Sequence, residues 1–234
     1  DAGAAIQPPP AVRALLHAAV LSSDAQVRRD EHGRWHVEGD PTEGALVVAA
    51  AKAGLDQAWA NEAQPRQHEI AFTSERRRMT TMHDVGNGVL VAYSKGAVDA
   101  ILPDCTTWAR DGGDVPLQDA DREALLALER DMAAAGLRVL AVAGKHDATC
   151  EDAERGMTWL GLIGMMDPPR AEARAAVQTC RDAGITPVMI TGDHPLTATA
   201  IASEIGLLDG RRVVSGLDLA SLSDDDLTRG IHEI

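Results

Sequence analysis

The pair Pro168-Pro169 separates two different patterns of apolar residues, and this change limits what the 234-residue chain can fold into. Before the pair, short segments alternate between apolar and polar residues, and a Gly-Asn-Gly turn predicts a β-hairpin over residues 77–94. After the pair, helical and strand patterns follow one another, which is typical of a parallel α/β sheet. We therefore predict an α/β protein in two parts, divided into residues 1–167 and residues 168–234. The first part is expected to hold an antiparallel sheet with helices on one face.

Helix boundaries are marked by capping residues in both parts. Asp40 and Pro41 predict the start of one helix, and Gly54 its end. An amphipathic pattern from Asp119 predicts a second helix that stops at Gly136. In the second part, "ITPVMI" at 185–190 predicts a buried strand, and Pro195 predicts the start of another helix.

Composition excludes several classes of protein. Apolar residues make up 45% of the chain, which is enough for a folded core, and the net charge of -14 argues against nucleic-acid binding. The three cysteines form no CxxC pair, so neither a zinc site nor a disulfide framework is predicted. No apolar run approaches the roughly 18 residues of a membrane span, and we expect no signal peptide.

One segment, "HEIAFTSERRRM" at 68–79, carries the only Phe of the chain beside three consecutive arginines. An aromatic ring can stack on a purine, and guanidinium groups pair with phosphate, so the segment suits a nucleotide. Strict strand alternation would place Phe72 and Arg77 on opposite faces, so either they act separately or the segment bends. The same residues also suit a core Phe followed by a solvated, charged strand.

Three further motifs have both a functional and a structural interpretation. In "YSKGA", Lys95 and Gly96 suit a phosphate contact with close backbone approach, although a surface Lys explains the lysine equally. In "GDPTEGAL", Glu43 lies in the first turn of a helix, where a carboxylate favours the helix dipole without any further function. "TGD" at 191–193 lies between a predicted strand and helix, where open α/β sheets bind ligands, but it is also an ordinary turn.

Together these motifs resemble the P-type cation-transporting ATPases, in particular the calcium-pump-like subgroup. Six segments occur in the family's order between residues 39 and 207: "GDPTEGAL", "FTSERRRM", "SKGA", "GLRVLAVA", "GMMDPPR" and "MITGDHPLTATAIASEIGL". The resemblance covers most of the chain. It implies that residues 1–167 are the nucleotide-binding domain and that residues 168–234 are part of a haloacid-dehalogenase-like phosphorylation domain.

The resemblance also implies a role for individual residues. Phe72 is expected to stack on adenine, with Glu43 near the adenine end. Other positions expected to contact or surround the nucleotide are Arg77, Lys95, Gly96 and Arg138, with Asp167 and Arg170 at the interdomain hinge. Thr191, Gly192 and Asp193 are expected to contact the transferred phosphoryl group and to support its magnesium site.

Two departures from the family pattern bear on activity. The chain lacks the DKTGT motif with the phosphorylated aspartate, and it lacks the GDGxND magnesium motif. We therefore expect a piece of a longer membrane protein, soluble by itself, which binds ATP but does not turn it over. ATP and Mg²⁺ are the implied cofactors, with the Mg²⁺ ligands mostly outside this chain. The implied partners are the transmembrane and actuator domains of the same polypeptide, at the cytoplasmic face of a membrane.

Two other classes of function remain open at this point. A stand-alone haloacid-dehalogenase-type phosphatase would explain "TGD", although the DxDx(T/V) strand of that class is missing. A module that binds a protein partner would explain the acidic surface. Neither explains six motifs in a fixed order.

Overall fold

The computed structural model describes residues 7–166, 169–191, 195–208 and 210–230. The chain divides into two compact units. One unit comprises the chain up to Glu129 together with Val139–Met165, and the other comprises Arg130–Arg138 and the chain from Met166 onward. The predicted division at residues 167 and 168 did not include the segment Arg130–Arg138 in the second part. The assignment of the two parts as separate functional domains stays a prediction.

The first unit is built around one large sheet with helices packed against it. Its helices are α1 (Pro10–Leu21), α2 (Pro41–Lys52), α3 (Gln57–Ala63), α4 (Val98–Ile101) and α5 (Asp119–Ala134), the last of which continues into the second unit, and a 3₁₀ turn follows α4 at Leu102–Asp104. Its strands are β1 (Gln26–Arg29), β2 (Trp35–Glu38), β3 (Arg66–Ile70), β4 (Arg78–Asp84), β5 (Leu90–Gly96), β6 (Cys105–Arg110), β7 (Gly113–Pro116), β8 (Arg138–Lys145) and β9 (Met157–Met165).

The sheet has the strand order β3-β4-β5-β8-β9-β6-β7, and β1 and β2 form a separate two-stranded ribbon. The predicted hairpin is confirmed: β4 and β5 pair antiparallel, from Arg78 opposite Gly96 to Asp84 opposite Leu90. Strands β3 and β8 extend this hairpin antiparallel on either side. One pair departs from the antiparallel expectation, because β6 runs parallel to β9.

The caps predicted for α2 and α5 are confirmed. The Asp40 carboxylate accepts hydrogen bonds from the backbone N–H groups of Thr42 (2.8 Å) and Glu43 (3.2 Å), which would otherwise lack partners at the helix start. Gly54 and Gly136 both have positive φ angles just beyond the two helix ends, a conformation that glycine adopts at little cost.

Helices cover both faces of the sheet, so the expectation of helices on one face is wrong. On β8, Val142 packs with Leu15 of α1 and Leu46 of α2, whereas Ala141 packs with Ile101 and other residues around α4 and α5. The physical reason lies in the sequence "VLAVA" of β8, which is apolar at every position and therefore needs cover on both sides. The result is a mixed α/β unit with its sheet between two helical layers.

The second unit contains α6 (Ala173–Asp182), α7 (Pro195–Glu204), α8 (Gly216–Ser221) and α9 (Asp224–Gly230). The helix predicted to start at Pro195 is confirmed. The buried strand predicted at 185–190 is wrong: the segment is irregular and the Ile190 side chain is 93% exposed. A strand needs a neighbour to pair its backbone groups, and the described residues after Met165 form none.

Membrane-spanning length is also absent from the described helices. Within the described ranges, no helix is both long enough and apolar enough to cross a bilayer.

Candidate functional site

The segment that carries Phe72 bends, as one of the two sequence alternatives required. Strand β3 ends at Ile70, a turn occupies residues 74–76, and the backbone N–H of Arg77 donates to the carbonyl of Thr73 (2.8 Å). Arg77 has a φ of 51°, which reverses the chain before β4 begins. The Phe72 ring is 58% exposed, so the alternative of a core phenylalanine is excluded. We call residues 71–77 the aromatic bend.

Lys95 and Glu43 meet in a buried ion pair next to the strand that follows the bend. The Lys95 Nζ lies 2.7 Å from Glu43 Oε1 and also donates to the carbonyl of Ser22 and, at 3.4 Å, to Ser23 Oγ. Lys95 is only 6% exposed, so the alternative of a surface lysine is excluded. Burial lowers the pKa of Lys95, and the Glu43 carboxylate opposes that shift. All three ammonium protons therefore have protein partners.

Glu43 also fixes the chain that leads out of α1. Its Oε2 accepts hydrogen bonds from the backbone N–H groups of Asp24 (2.7 Å) and Ala25 (3.0 Å). The carboxylate thus joins the first turn of α2, the end of α1 and strand β5 through one side chain. Sequence reasoning placed Glu43 in a helix turn but had no signal for these three contacts.

Gly96 brings β5 into direct contact with the aromatic bend. The carbonyl of Arg77 accepts a hydrogen bond from the N–H of Ala97 (2.9 Å), and a Cβ on Gly96 would lie 2.3 Å from that carbonyl oxygen and 2.6 Å from the Arg78 Cα. A side chain at this position cannot fit unless the backbone moves. The "KGA" motif and the aromatic bend are therefore one local structure, which sequence spacing alone did not reveal.

Arg77 projects into solvent and pairs with an acidic residue that the sequence analysis did not single out. Its Nη2 lies 2.9 Å from Asp99 Oδ2, and both side chains are more than half exposed. Such exposed pairs contribute little to stability, so the guanidinium can exchange its partner for another anion at small cost. The predicted β-hairpin was the sequence signal that could have suggested this pair. The observed register places Arg78 opposite Gly96, so Arg77 lies near the residues that follow Gly96, which include Asp99.

The remaining predicted residues lie outside the first unit or outside the described residues. Arg138, the first residue of β8, groups with the second unit, as Arg170 does, and both are exposed. Thr191 is exposed at the end of the irregular segment, and it lines an apolar depression together with Val188 and Ala198. Asp167, Gly192 and Asp193 lie outside the described residues. Their roles, like those of the residues above, stay predictions.

The chain matches a known family over most of its length. A family model described as "P-type ATPase, cytoplasmic domain N" matches residues 11–172. Similar proteins include the "Cation-transporting ATPase pma1" of Synechocystis, 41% identical over 96% of this chain, and the "Probable cation-transporting ATPase F" of Mycobacterium tuberculosis, 42% identical over 99%. The "Calcium-transporting ATPase 1" of Bacillus cereus is 35% identical over 95% of the chain.

The match covers only part of each of these relatives. The chain spans 25% of the length of the Synechocystis and Bacillus proteins and 26% of the Mycobacterium protein. The family model nevertheless covers more than half of this chain, and the relatives exceed a third in identity. The chain therefore belongs to the P-type cation-transporting ATPases, and its residues 11–172 match their cytoplasmic domain N.

Proposed function

We propose that residues 1–167 bind ATP, with the Phe72 ring stacked on the adenine base. The observation that carries the proposal is the 58% exposure of the only phenylalanine, on a bend whose backbone touches the "KGA" strand. An exposed aromatic ring offers a flat apolar face, and an adenine base is flat enough to stack on it. Membership of the family supports the choice of ATP over other aromatic ligands.

Arg77 and Lys95 act differently in this proposal. Arg77 is exposed and weakly paired, so it can turn towards the phosphates of a bound nucleotide. Lys95 already donates to Glu43 and to the chain after α1, so a phosphate would have to displace one of these partners. We infer that Lys95 and Gly96 shape the pocket, while Arg77 makes the direct contact.

For the whole protein we propose ATP hydrolysis through an aspartyl phosphate, coupled to the transport of a cation across a membrane. The names of the relatives support this activity, and domain N lies on the cytoplasmic side in the family description. Arg138 is proposed to reach the phosphates, and Asp167 and Arg170 are proposed to lie at the interdomain hinge, where Arg170 also contacts the nucleotide. Thr191, Gly192 and Asp193 are proposed to contact the transferred phosphoryl group, and the transmembrane and actuator domains are the proposed partners.

Mg²⁺ is proposed to arrive as a complex with ATP. In the described part of the chain, no group of three or more His, Cys, Asp or Glu side chains is arranged to hold a metal. The aspartate expected to support the metal, Asp193, lies outside the described residues. The part played by the described residues is therefore to bind and orient the nucleotide, which positions its terminal phosphate for transfer.

Calorimetric titration of the 234-residue chain with ATP tests this proposal. Base stacking is worth about 1–3 kcal/mol, so Phe72→Ala is expected to weaken binding by about 5- to 150-fold. Trp59→Ala is the matched control, because Trp59 is also a large exposed aromatic (61%) but lies on α3. The proposal fails if ATP at millimolar concentration shows no saturable binding, or if Phe72→Ala and Trp59→Ala have the same effect.

A further inference from the structure

One arginine of the triplet is turned inward and holds the backbone next to Phe72. Arg76 donates through Nη1 to the carbonyl of Ala71, the residue directly before Phe72 (2.8 Å), and through Nη2 to Glu154. Its own backbone N–H donates to Thr73 Oγ1 (3.2 Å), directly after Phe72. Arg76 thus contacts the chain on both sides of the exposed ring.

The acceptor at the other end of this contact is itself fixed. Glu154 is largely buried and also accepts from Thr80 Oγ1 (2.6 Å) and pairs with Arg78 (3.2 Å), both on β4. Its neighbour Ala153 is fully buried against Met82 of the same strand. These contacts hold Glu154 in place relative to the sheet. Through its contact with Glu154, Arg76 holds the aromatic bend in place as well.

The three arginines therefore have different partners. Arg76 and Arg78 both form ion pairs with Glu154, and Arg78 forms a second ion pair with Asp104 (2.6 Å). Arg77 alone of the three faces solvent with more than half of its side chain exposed. A rigid guanidinium fork can bridge a carbonyl and a carboxylate at once, whereas a lysine ammonium is a single point charge on a flexible stem.

We propose that Arg76, anchored by Glu154, is a positioning residue that orders the Phe72 ring for stacking on adenine. This inference rests on the proposed function, and it concerns a residue that makes no contact with the nucleotide itself. An ordered ring binds a base more tightly, because the entropy of fixing the bend has already been lost on folding.

The experiment compares Arg76→Lys with the unchanged 234-residue chain. The substitution keeps the positive charge and removes the two-ended bridge. Because the chain has a single Phe, ring-labelled phenylalanine gives one set of NMR signals that reports the order of Phe72. We expect a lower ring order parameter without ligand and affinity for both adenosine and ATP weakened by roughly threefold or more. Arg110→Lys on β6, also a charge-conserving change, is expected to alter neither.

Three outcomes separate the alternatives. If Arg76→Lys leaves the ring order and the adenosine affinity unchanged, the inference is wrong while the proposed function stands. If the unchanged chain binds neither adenosine nor ATP, the proposed function fails and takes the inference with it. If Arg76→Lys does not fold, Glu154→Met, which has a similar length but no oxygen to accept from Arg76, must lower the ring order and the adenosine affinity, or the inference is again wrong.

Discussion

Replacing Glu43 by Gln should destabilise the first unit by an amount that depends on pH. The amide has nearly the same shape and can still accept hydrogen bonds, but it removes the negative charge 2.7 Å from the buried Lys95 ammonium. Leaving one charge of a buried pair uncompensated typically costs about 3–5 kcal/mol. The variant should therefore lose a large part of the unit's stability near neutral pH.

The cost has an upper limit, because Lys95 can give up its proton instead. Neutralising a lysine costs about 1.4 kcal/mol for each pH unit below its ordinary pKa of 10.5, so the limit is about 5 kcal/mol at pH 7 and about 2 kcal/mol at pH 9. The sign follows from proton binding: in the variant the unfolded chain holds a proton that the folded chain sheds, so stability rises with pH. We expect a loss of about 3–5 kcal/mol at pH 7 and of at most about 2 kcal/mol at pH 9.

Lys95→Met is the matched change on the other side of the pair. It leaves the Glu43 carboxylate with its two backbone donors, at 2.7 and 3.0 Å, so the remaining charge is not orphaned. The unfolding free energy should fall by about 1–3 kcal/mol, the usual cost of unsatisfied polar groups. Unlike the loss in Glu43→Gln, this loss should not become smaller between pH 7 and pH 9.

Urea unfolding followed by tryptophan fluorescence measures these losses. All four tryptophans lie between residues 35 and 159, within the first unit, so the signal does not report the second unit. The reasoning is refuted if Glu43→Gln costs the same at pH 7 and pH 9, or if Lys95→Met costs more than Glu43→Gln at pH 7.

Three further predictions concern other parts of the molecule. Gly96→Ala should lower the unfolding free energy by about 1–3 kcal/mol, because its Cβ would overlap the Arg77 carbonyl; equal thermal midpoints would contradict this. Burial lowers the pKa of His83 below its ordinary 6.5, so the unfolding free energy should fall as pH drops below 6.5, by up to about 1.4 kcal/mol per pH unit. In acid titrations, His83→Gln should make this dependence on pH weaker. Amides at 185–190 should exchange with deuterium much faster than those of β5; equal protection would show that the segment is paired.

Local signals in the sequence predicted the first unit well where one short segment decides the structure. Asp40 caps its helix through contacts two and three residues away, and the β4–β5 hairpin follows from a turn between two alternating runs. The number of helical layers was mispredicted, because both layers depend on which distant elements cover β8. The strand prediction for residues 185–190 was wrong for a related reason, since an apolar segment forms a strand only where another strand offers hydrogen-bonding partners.

The sequence proposed residues for the candidate site, and their roles stay predictions, but it could not predict how those residues are arranged in space. An aromatic beside consecutive charges left two questions open, whether Phe72 is buried and whether the segment bends, and the structure shows an exposed ring on a bend. The contact between Arg76 and Glu154 joins positions 78 residues apart, and no spacing rule connects them. The burial of Lys95 depends on the end of α1, which lies more than 70 residues earlier in the chain.

The contact between the Phe72 ring and adenine is central to the proposed function, and ring-labelled phenylalanine measures it directly. Titration with adenosine and with ATP should shift the single set of Phe72 ring signals with saturation, in the direction expected for a stacked base, and inorganic triphosphate should leave the signals in place. Ring signals that stay unchanged while calorimetry registers ATP binding would contradict the account, because the nucleotide would then bind away from the aromatic bend.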